Sequence, residues 1–435
     1  MNPLRLFIVF TALVAVLCAA AYLVTRSDEQ PVEARLTVAE ALSSSKAHSL
    51  DGYLQATEPR AFVFPADHAP HEGFKTEWWY FTGNLQSASG RAFGYQLTFF
   101  RSALAPPQDS ANRTNASCAN TRVHTWSSSH IFMAHFALTD VQSGQFYSFE
   151  RFSREAQGLA GATLGVQASG GQAGRGLRVW VEDWSASTEH GRGVFPLRLH
   201  AAQDGIEISL LLDSLKPASL QGNQGLSQKG AERGNASYYY SMTRLPTQGL
   251  VRLSSNSETK STNESMTVTG ESWMDREWST SALSKGQVGW DWFALHLHGD
   301  TVSERKSGEQ KSEDFKEELM YYQLRKRDGR ADSTSAGSIT LADGHVQPFR
   351  GADVQLEVLD TWKSPRSGVV YPARWQLRVP REGVELTLTP LVANQELNVT
   401  VRYWEGAVRV EGTRRGRPVR GRGYAELTGY AATTQ

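Results

Sequence analysis

The stretch Trp78-Trp79-Tyr80-Phe81-Thr82-Gly83-Asn84-Leu85 is echoed by Trp290-Asp291-Trp292-Phe293-Ala294-Leu295-His296-Leu297, at an offset of 212 residues (290 − 78). In a chain of 435 residues that is about half the length. Self-similarity at such a spacing points to one structural unit used twice. Four further echoes follow in the same order: Tyr95-Gln96-Leu97 with Tyr322-Gln323-Leu324, Glu182-Asp183-Trp184 with Asp360-Thr361-Trp362, Phe195-Pro196-Leu197 with Tyr371-Pro372-Ala373, and Gly205–Leu210 with Gly383–Leu388. Around them run short alternating segments broken by Gly, Asn, Asp and Pro. Phe132, Ala134, Phe136 and Leu138 fall on one face of an extended segment, with His135 on the other. Gln203-Asp204-Gly205 and Arg381-Glu382-Gly383 carry hairpin signals. Many evenly spaced antiparallel strands close most readily into barrels, which removes unpaired edges. The expectation is an all-β chain of two tandem antiparallel β-barrels.

Residues 1–26 place Arg5 ahead of a near-continuous apolar run, Leu6 to Val24, containing Ala19-Ala20-Ala21. That pattern suits a signal peptide or an uncleaved membrane anchor. The protein is then exported, either periplasmic or anchored to the outer face of the inner membrane, with membrane contact through this segment. Residues 27–60 read as a linker with a short helical candidate at Leu36–Leu42. The first barrel is expected over 61–253 and the second over 266–435. Between them, 254–265 contains no apolar residue and reads as a second linker. The charged stretch Thr301–Lys316 reads as an insertion. Lys+Arg and Asp+Glu are equal at 45 each, which argues against nucleic acid as a partner. Of the two cysteines, Cys18 and Cys118, only the second lies outside the N-terminal segment, so a processed chain has no internal disulfide.

The densest chemistry is Trp273-Met274-Asp275-Arg276-Glu277-Trp278, followed by Trp290-Asp291-Trp292. On a strand, Trp273, Asp275 and Glu277 share one face. A carboxyl buried among rings stays protonated near neutrality and can donate a proton, and π-faces stabilise the cation so formed. Asp275 and Glu277 are therefore the candidate catalytic acids. Trp78, Tyr80, Tyr239, Trp273, Trp278, Trp290 and Trp292 are the candidate ligand-binding residues. The plainer alternative pairs the two carboxylates with Arg276 or another cation at the junction between barrels. Glu77 is the analogous carboxylate of the first copy, or else a partner of Arg101. His296 and His298 form an H-x-H without a suitably spaced third ligand, so no metal is expected. No nucleophile elbow, Walker A loop, dinucleotide fingerprint or H-E-x-x-H is present, and no cofactor is expected.

His71–Gly83, Phe93–Arg101, Gly234–Ser241 and Trp273–Trp278 resemble the AttH-type exported proteins, often labelled predicted secreted hydrolases and related to carotenoid 1,2-hydratase (hydroxyneurosporene synthase). The resemblance runs from about Phe62 to Tyr430. It implies two lipocalin-like barrels and a hydrophobic ligand, isoprenoid, polyene or acyl. It leaves two readings open: a ligand carrier with a lipid or lipoprotein transporter component as partner, or a cofactor-free hydro-lyase or cyclase working by acid catalysis. A secreted hydrolase is a third. At the position of Arg276 the family motif more often carries His. Arginine keeps its charge and cannot shuttle protons.

Overall fold

In the computed structural model, residues 50–107, 129–166, 176–189, 193–257, 260–281, 283–284, 286–299 and 315–431 are described. The N-terminal apolar segment, the helical candidate at Leu36–Leu42, Cys118 and residues 301–314 lie outside them. No described helix is long and apolar enough to cross a membrane.

The strands follow in chain order as β1 (Thr76–Ser87), β2 (Ala92–Ala103), β3 (His130–Asp140), β4 (Gln145–Arg154), β5 (Ala160–Val166), β6 (Gly176–Val181), β7 (Trp184–Thr188), β8 (Leu197–Gln203), β9 (Ile206–Leu212), β10 (Ser219–Leu220), β11 (Leu226–Gln228), β12 (Ala236–Ser257) and β13 (Lys260–Ser279). The second set is β14 (Gln287–Gly299), β15 (Lys316–Lys326), β16 (Ala336–Thr340), β17 (Val346–Arg350), β18 (Gln355–Lys363), β19 (Val370–Val379), β20 (Val384–Pro390), β21 (Glu396–Asn398), β22 (Arg402–Arg414) and β23 (Arg417–Leu427). The first sheet runs β4-β3-β2-β1-β13-β12-β9-β8-β7-β6-β5, with β10 and β11 on β12. The second runs β17-β16-β15-β14-β23-β22-β20-β19-β18, with β21 on β22. Every described strand pair is antiparallel. One sheet curls into a near-barrel and the other into a half-barrel, the tandem lipocalin-like arrangement.

The two strand orders superimpose: β14 takes the place of β1, β15 of β2, β23 of β13, β22 of β12 and β20 of β9. The echoes therefore fall on equivalent strands, with one correction of register. Tyr95 faces Gly83 on β1, whereas Tyr322 faces Trp292 on β14, the counterpart of Tyr80. The matched Tyr-Gln-Leu strings are three positions out of register. An odd shift swaps the faces of a strand, so Tyr95 sits in the first core and Tyr322 between the barrels.

The described residues of the expected linker, 254–257 and 260–265, are instead the paired ends of two strands. β12 and β13 stay paired out to Ser257 opposite Lys260. Asn263, Glu264 and Ser265 are exposed. Main-chain hydrogen bonds hold such an end without apolar side chains, so its sequence carries no strand period. The sheet boundary moves to the stretch between Ser279 and Gln287. Trp273–Trp278 thus belongs to the first sheet, not to a domain beginning at 266. The first unit also starts earlier than 61. Ala56 is buried in its core, the Leu54 N–H donates to Gly73 O (2.9 Å), and Thr280 Oγ1 donates to Leu54 O (2.6 Å).

Each barrel interior carries a buried apolar cluster. Trp79, Tyr95, Trp184 and Trp278 are buried in the first, and Phe293, Trp375 and Trp404 in the second. Truncating one such ring typically costs about 3–5 kcal/mol. Residues on the opposite faces of the central strands meet in a third cluster between the barrels, containing Tyr80, Tyr239, Trp273, Trp292, Tyr322 and Tyr424. Close approach there requires Gly94, where an added Cβ would lie 2.5 Å from Ala407 Cβ.

Glu77 is fully buried and accepts from the guanidinium groups of both Arg101 and Arg276, while the His71 N–H donates to Oε2 (3.0 Å). Burial alone would push this carboxyl up; Arg276 and then Arg101 hold it well below the usual carboxylate range. Arg276 also lies 3.8 Å over the Trp79 ring. Glu77→Gln would strand two buried cations, which should lower unfolding stability by about 3–5 kcal/mol. Urea unfolding at neutral pH reads this directly; an unchanged midpoint would show that the pair contributes nothing net.

Candidate active site between the barrels

An apolar pocket of about 120 Å³ opens between the two sheets. A single water needs roughly 10–15 Å³ on this measure, so the space accepts several waters or the end of an organic chain. Strand alternation determines which side chains reach it. On β1, Trp78 and Tyr80 point to the pocket and Trp79 to the barrel core. On β12, Tyr239 does so. On β14, Trp290 and Trp292 do so, while Phe293 packs inward. On β13, Asp275 and Glu277 line the pocket, and Met274 and Trp278 turn to the first core.

Trp278 is therefore misplaced by the sequence reading. Its even position in the strand faces the barrel interior, where it stacks on His71 with centroids 3.7 Å apart. Trp273 shares the face of Asp275 but stands behind it, donating its ring N–H to Asp275 Oδ1 (2.6 Å). Of the plainer alternative, the pairing with Arg276 does not form, because Arg276 lies on the opposite face with Glu77, while another cation, Lys229, does pair with Glu277.

Asp275 is 4% exposed. Ser241 donates to Oδ1 (2.5 Å) and Tyr239 to Oδ2 (2.5 Å). The Trp292 ring N–H in turn donates to the Tyr239 oxygen (3.1 Å). Burial pushes the Asp275 carboxyl up to about 7, outweighing the three donors, which favour the ionised form; the neighbouring Glu277 adds to the rise. Glu277 has a different setting. Lys229 Nζ lies 3.0 Å from its Oε1, and Ser237 donates to the same oxygen. Lys229 also sits 4.2 Å over the Tyr322 ring. Burial works against the lysine's charge, yet Glu277 outweighs it and raises the ammonium pKa. The two carboxyls that look alike in sequence are thus sorted by environment: Asp275 an acid whose proton is poised near pH 7, Glu277 half of an ion pair.

Sequence reasoning missed Lys229, Tyr322, Glu405 and Glu426, all on the pocket wall. Tyr80 donates to Glu405 Oε2 (2.9 Å). Burial, and then the charge of Glu426, pushes Glu405 well above the usual range. Glu426 is pushed up to about 8 by burial, against a hydrogen bond from Trp290. The strand register relates the two walls: Tyr80 faces Asp275 as Trp292 faces Glu426, so Glu426 takes the place of Asp275 in the second sheet.

The remaining histidine candidates are held structurally. His296 Nε2 lies 2.8 Å from Thr243 O and His298 Nε2 2.9 Å from Glu271. His135 bridges Tyr403 (2.6 Å) and Glu150 (3.3 Å). Among the described residues no group of three or more His, Cys, Asp or Glu is disposed to hold a metal.

This arrangement, two lipocalin-like sheets with a carboxyl-bearing aromatic pocket between them, defines the class. The AttH-like family model matches residues 55–430, and the chain belongs to that family. The crystal structure of a candidate AttH protein from Nitrosomonas europaea is 29% identical, with a TM-score of 0.65, covering 87% of this chain and 99% of that one. Kievitone hydratase from Nectria haematococca is similar in fold at 15% identity and a TM-score of 0.56, covering 87% and 98%. Comparison with curated proteins gave no match.

The raised pKa of Asp275 has a consequence for stability. Its folded pKa of about 7 exceeds the ordinary 3.8, so the native state holds a proton that the unfolded chain has released. The associated stability is complete below about pH 4, declines as pH rises, and is gone once pH passes about 7. Asp275→Asn cannot ionise, so its stability relative to wild type should improve steadily across that window. Unfolding free energies at several pH values check this; a difference independent of pH would contradict a neutral Asp275.

Proposed function

We propose that the pocket performs cofactor-free acid catalysis on an alkene of an isoprenoid or polyene ligand, as a hydro-lyase or cyclase. The observation that carries this reading is Asp275, poised near neutrality and facing an aromatic pocket. Its proton forms the new C–H bond using the π pair of the double bond. The cation left on the adjacent carbon then lies among the π-faces of Trp78, Tyr80, Tyr239, Trp290 and Trp292. Water, or a second double bond of the same molecule, completes the reaction by attack on that carbon. Ser241 and Trp273 orient the acid, and Tyr239 stabilises the carboxylate left behind.

A carrier pocket needs few ionisable groups. This one presents Asp275, Glu277, Glu405, Glu426 and Lys229, which favours catalysis over simple transport. The name of kievitone hydratase supports the same direction, as a chain of this fold called a hydratase. We propose the exported setting as well, with the N-terminal segment placing the pocket beyond the cytoplasm and a transporter component as a partner.

The probes are geraniol and N,N-dimethylgeranylamine, whose protonated nitrogen mimics a tertiary carbocation. The amine should bind at least roughly tenfold tighter than geraniol, in the manner of transition-state mimics. In heavy water, wild type should incorporate deuterium at the terminal alkene of geraniol, and Asp275→Asn should lose about 100-fold or more of that rate while still binding geraniol. Equal affinity for both probes together with no exchange would leave the carrier reading in its place.

A further inference from the structure

The seam holds a second cavity that the step just described does not use. It measures about 560 Å³ and lies further along the same strands. Asn84 of β1 and Glu271 of β13 wall it on one side, and His296 of β14, Arg409 of β22 and Arg420 and Arg422 of β23 on the other. On β22, Ala407 falls between Glu405 of the aromatic pocket and Arg409 of this cavity; on β23, Tyr424 falls between Glu426 and Arg422. Ala407 and Tyr424 are both buried. The two spaces differ in chemistry: rings and carboxyls line the first, guanidinium groups the second.

Strand register brings those guanidinium groups together. Arg409 stands directly opposite Arg422, and Arg422 directly opposite His296. Opposed side chains of an antiparallel pair have Cβ atoms about 4.5–5.5 Å apart, and like charges so placed repel. The carboxylates nearby give little relief. Glu271 is engaged by Arg244 and by His298 (2.9 Å). Burial would push its carboxyl up; His298, then His296 and Arg244, hold it at about 2. Glu411 lies 3.6 Å from Arg409 with both side chains more than half exposed, where an ion pair contributes little. Arg422 is half-buried and has no carboxylate partner among the described residues. A carboxyl in such a place takes up a proton and loses its charge. An arginine stays charged at any physiological pH, so the opposed pair can be relieved only by an anion.

A phosphate group fits that demand. It offers several oxygens to two planar guanidinium forks, whereas the two oxygens of a carboxylate are filled by one arginine. The cavity far exceeds the roughly 10–15 Å³ that one water needs on this measure, so it also holds the polar part of the molecule that carries the phosphate. Equal numbers of Lys+Arg and Asp+Glu, 45 each, argue against a nucleic acid as that molecule.

We propose that the cavity at the arginine end of the seam is a phosphate-binding site, where Arg409 and Arg422 grip the phosphate of a small phosphorylated molecule or of a lipid headgroup. The site is independent of the acid chemistry assigned to Asp275.

Isothermal titration calorimetry on the full chain, in buffer free of phosphate and sulfate, tests this with glycerol 3-phosphate, glycerol, and dihexanoyl phosphatidylglycerol below its micelle concentration. Glycerol should not bind. Binding of glycerol 3-phosphate assigns the site to soluble phosphorylated molecules, and binding of the lipid alone assigns it to a headgroup. Arg409→Gln and Arg422→Gln should each weaken binding by about tenfold or more. Arg417→Gln should not, because Arg417 is exposed and lies outside the cavity. Equal losses in all three variants would reduce the effect to diffuse surface charge and overturn the site, as would failure of both phosphate probes to bind. Thermal unfolding gives a separate reading. Without phosphate, Arg422→Gln should unfold no earlier than wild type, since a repulsion has been removed; a lower midpoint would show that Arg422 is already compensated and would overturn the proposal. With the binding probe at about 100 times its Kd, the wild-type midpoint should rise and that of Arg422→Gln should rise less; equal rises would also overturn it.

Discussion

The structure depends on the two-residue period of its central strands under burial from both sides. β1, β12 and β13 back onto β14, β22 and β23, so each strand must satisfy its own barrel on one face and the opposing barrel on the other. Trp79 and Phe81 fill the first interior while Trp78 and Tyr80 reach outward; Phe293 and Leu295 fill the second while Trp292 and Ala294 reach back. Each barrel encloses a buried apolar cluster, and the aromatic pocket lies at the seam between the two barrels. The reactive groups then come from both copies of the repeat.

Burial also does the electrostatic sorting. The pocket wall provides apolar rings and few cations, so a carboxyl there is neutral unless a partner compensates it. Glu277 has Lys229. Asp275, Glu405 and Glu426 have only neutral donors. On the far face of the same strands, Glu77 takes two guanidinium groups and is held ionised. Carboxyls on the two faces of the same strands thus occupy different electrostatic states. Arg276, at the position where the family motif more often carries His, belongs to the ion-paired side of β13 and not to the pocket.

Polar contacts across the seam complete it. Glu318 of the second sheet accepts from both Lys216 and Arg244 of the first unit, and Asn84 donates to Gly423 O (3.0 Å). Within the second sheet, Arg414 is buried and donates to Glu317 (2.7 Å). Buried ions of this kind are weak sources of net stability but costly to disrupt. They fix how the two sheets meet, and with it the shape of the pocket.

The duplication, the all-β class and the aromatic faces were legible because they are local. Alternation with a period of two and turn residues at strand ends need no knowledge of distant partners, and both Asp275 and Glu277 could be placed on one face by counting. The polar strand ends at 254–257 and 260–265 were read as a linker because main-chain pairing leaves no mark on side-chain pattern, and that shifted Trp273–Trp278 into the wrong sheet. Alternation puts Trp278 on the face opposite Asp275, but the cluster Trp273–Trp278 was read as one site, so Trp278 was set beside Asp275 when it belongs with His71. Local sequence therefore determined the strands and the pool of rings and acids. Only the tertiary structure decided which acids share a pocket, which one meets Lys229 and which stand without a cation, because burial and opposing charge come from other strands and loops of the fold.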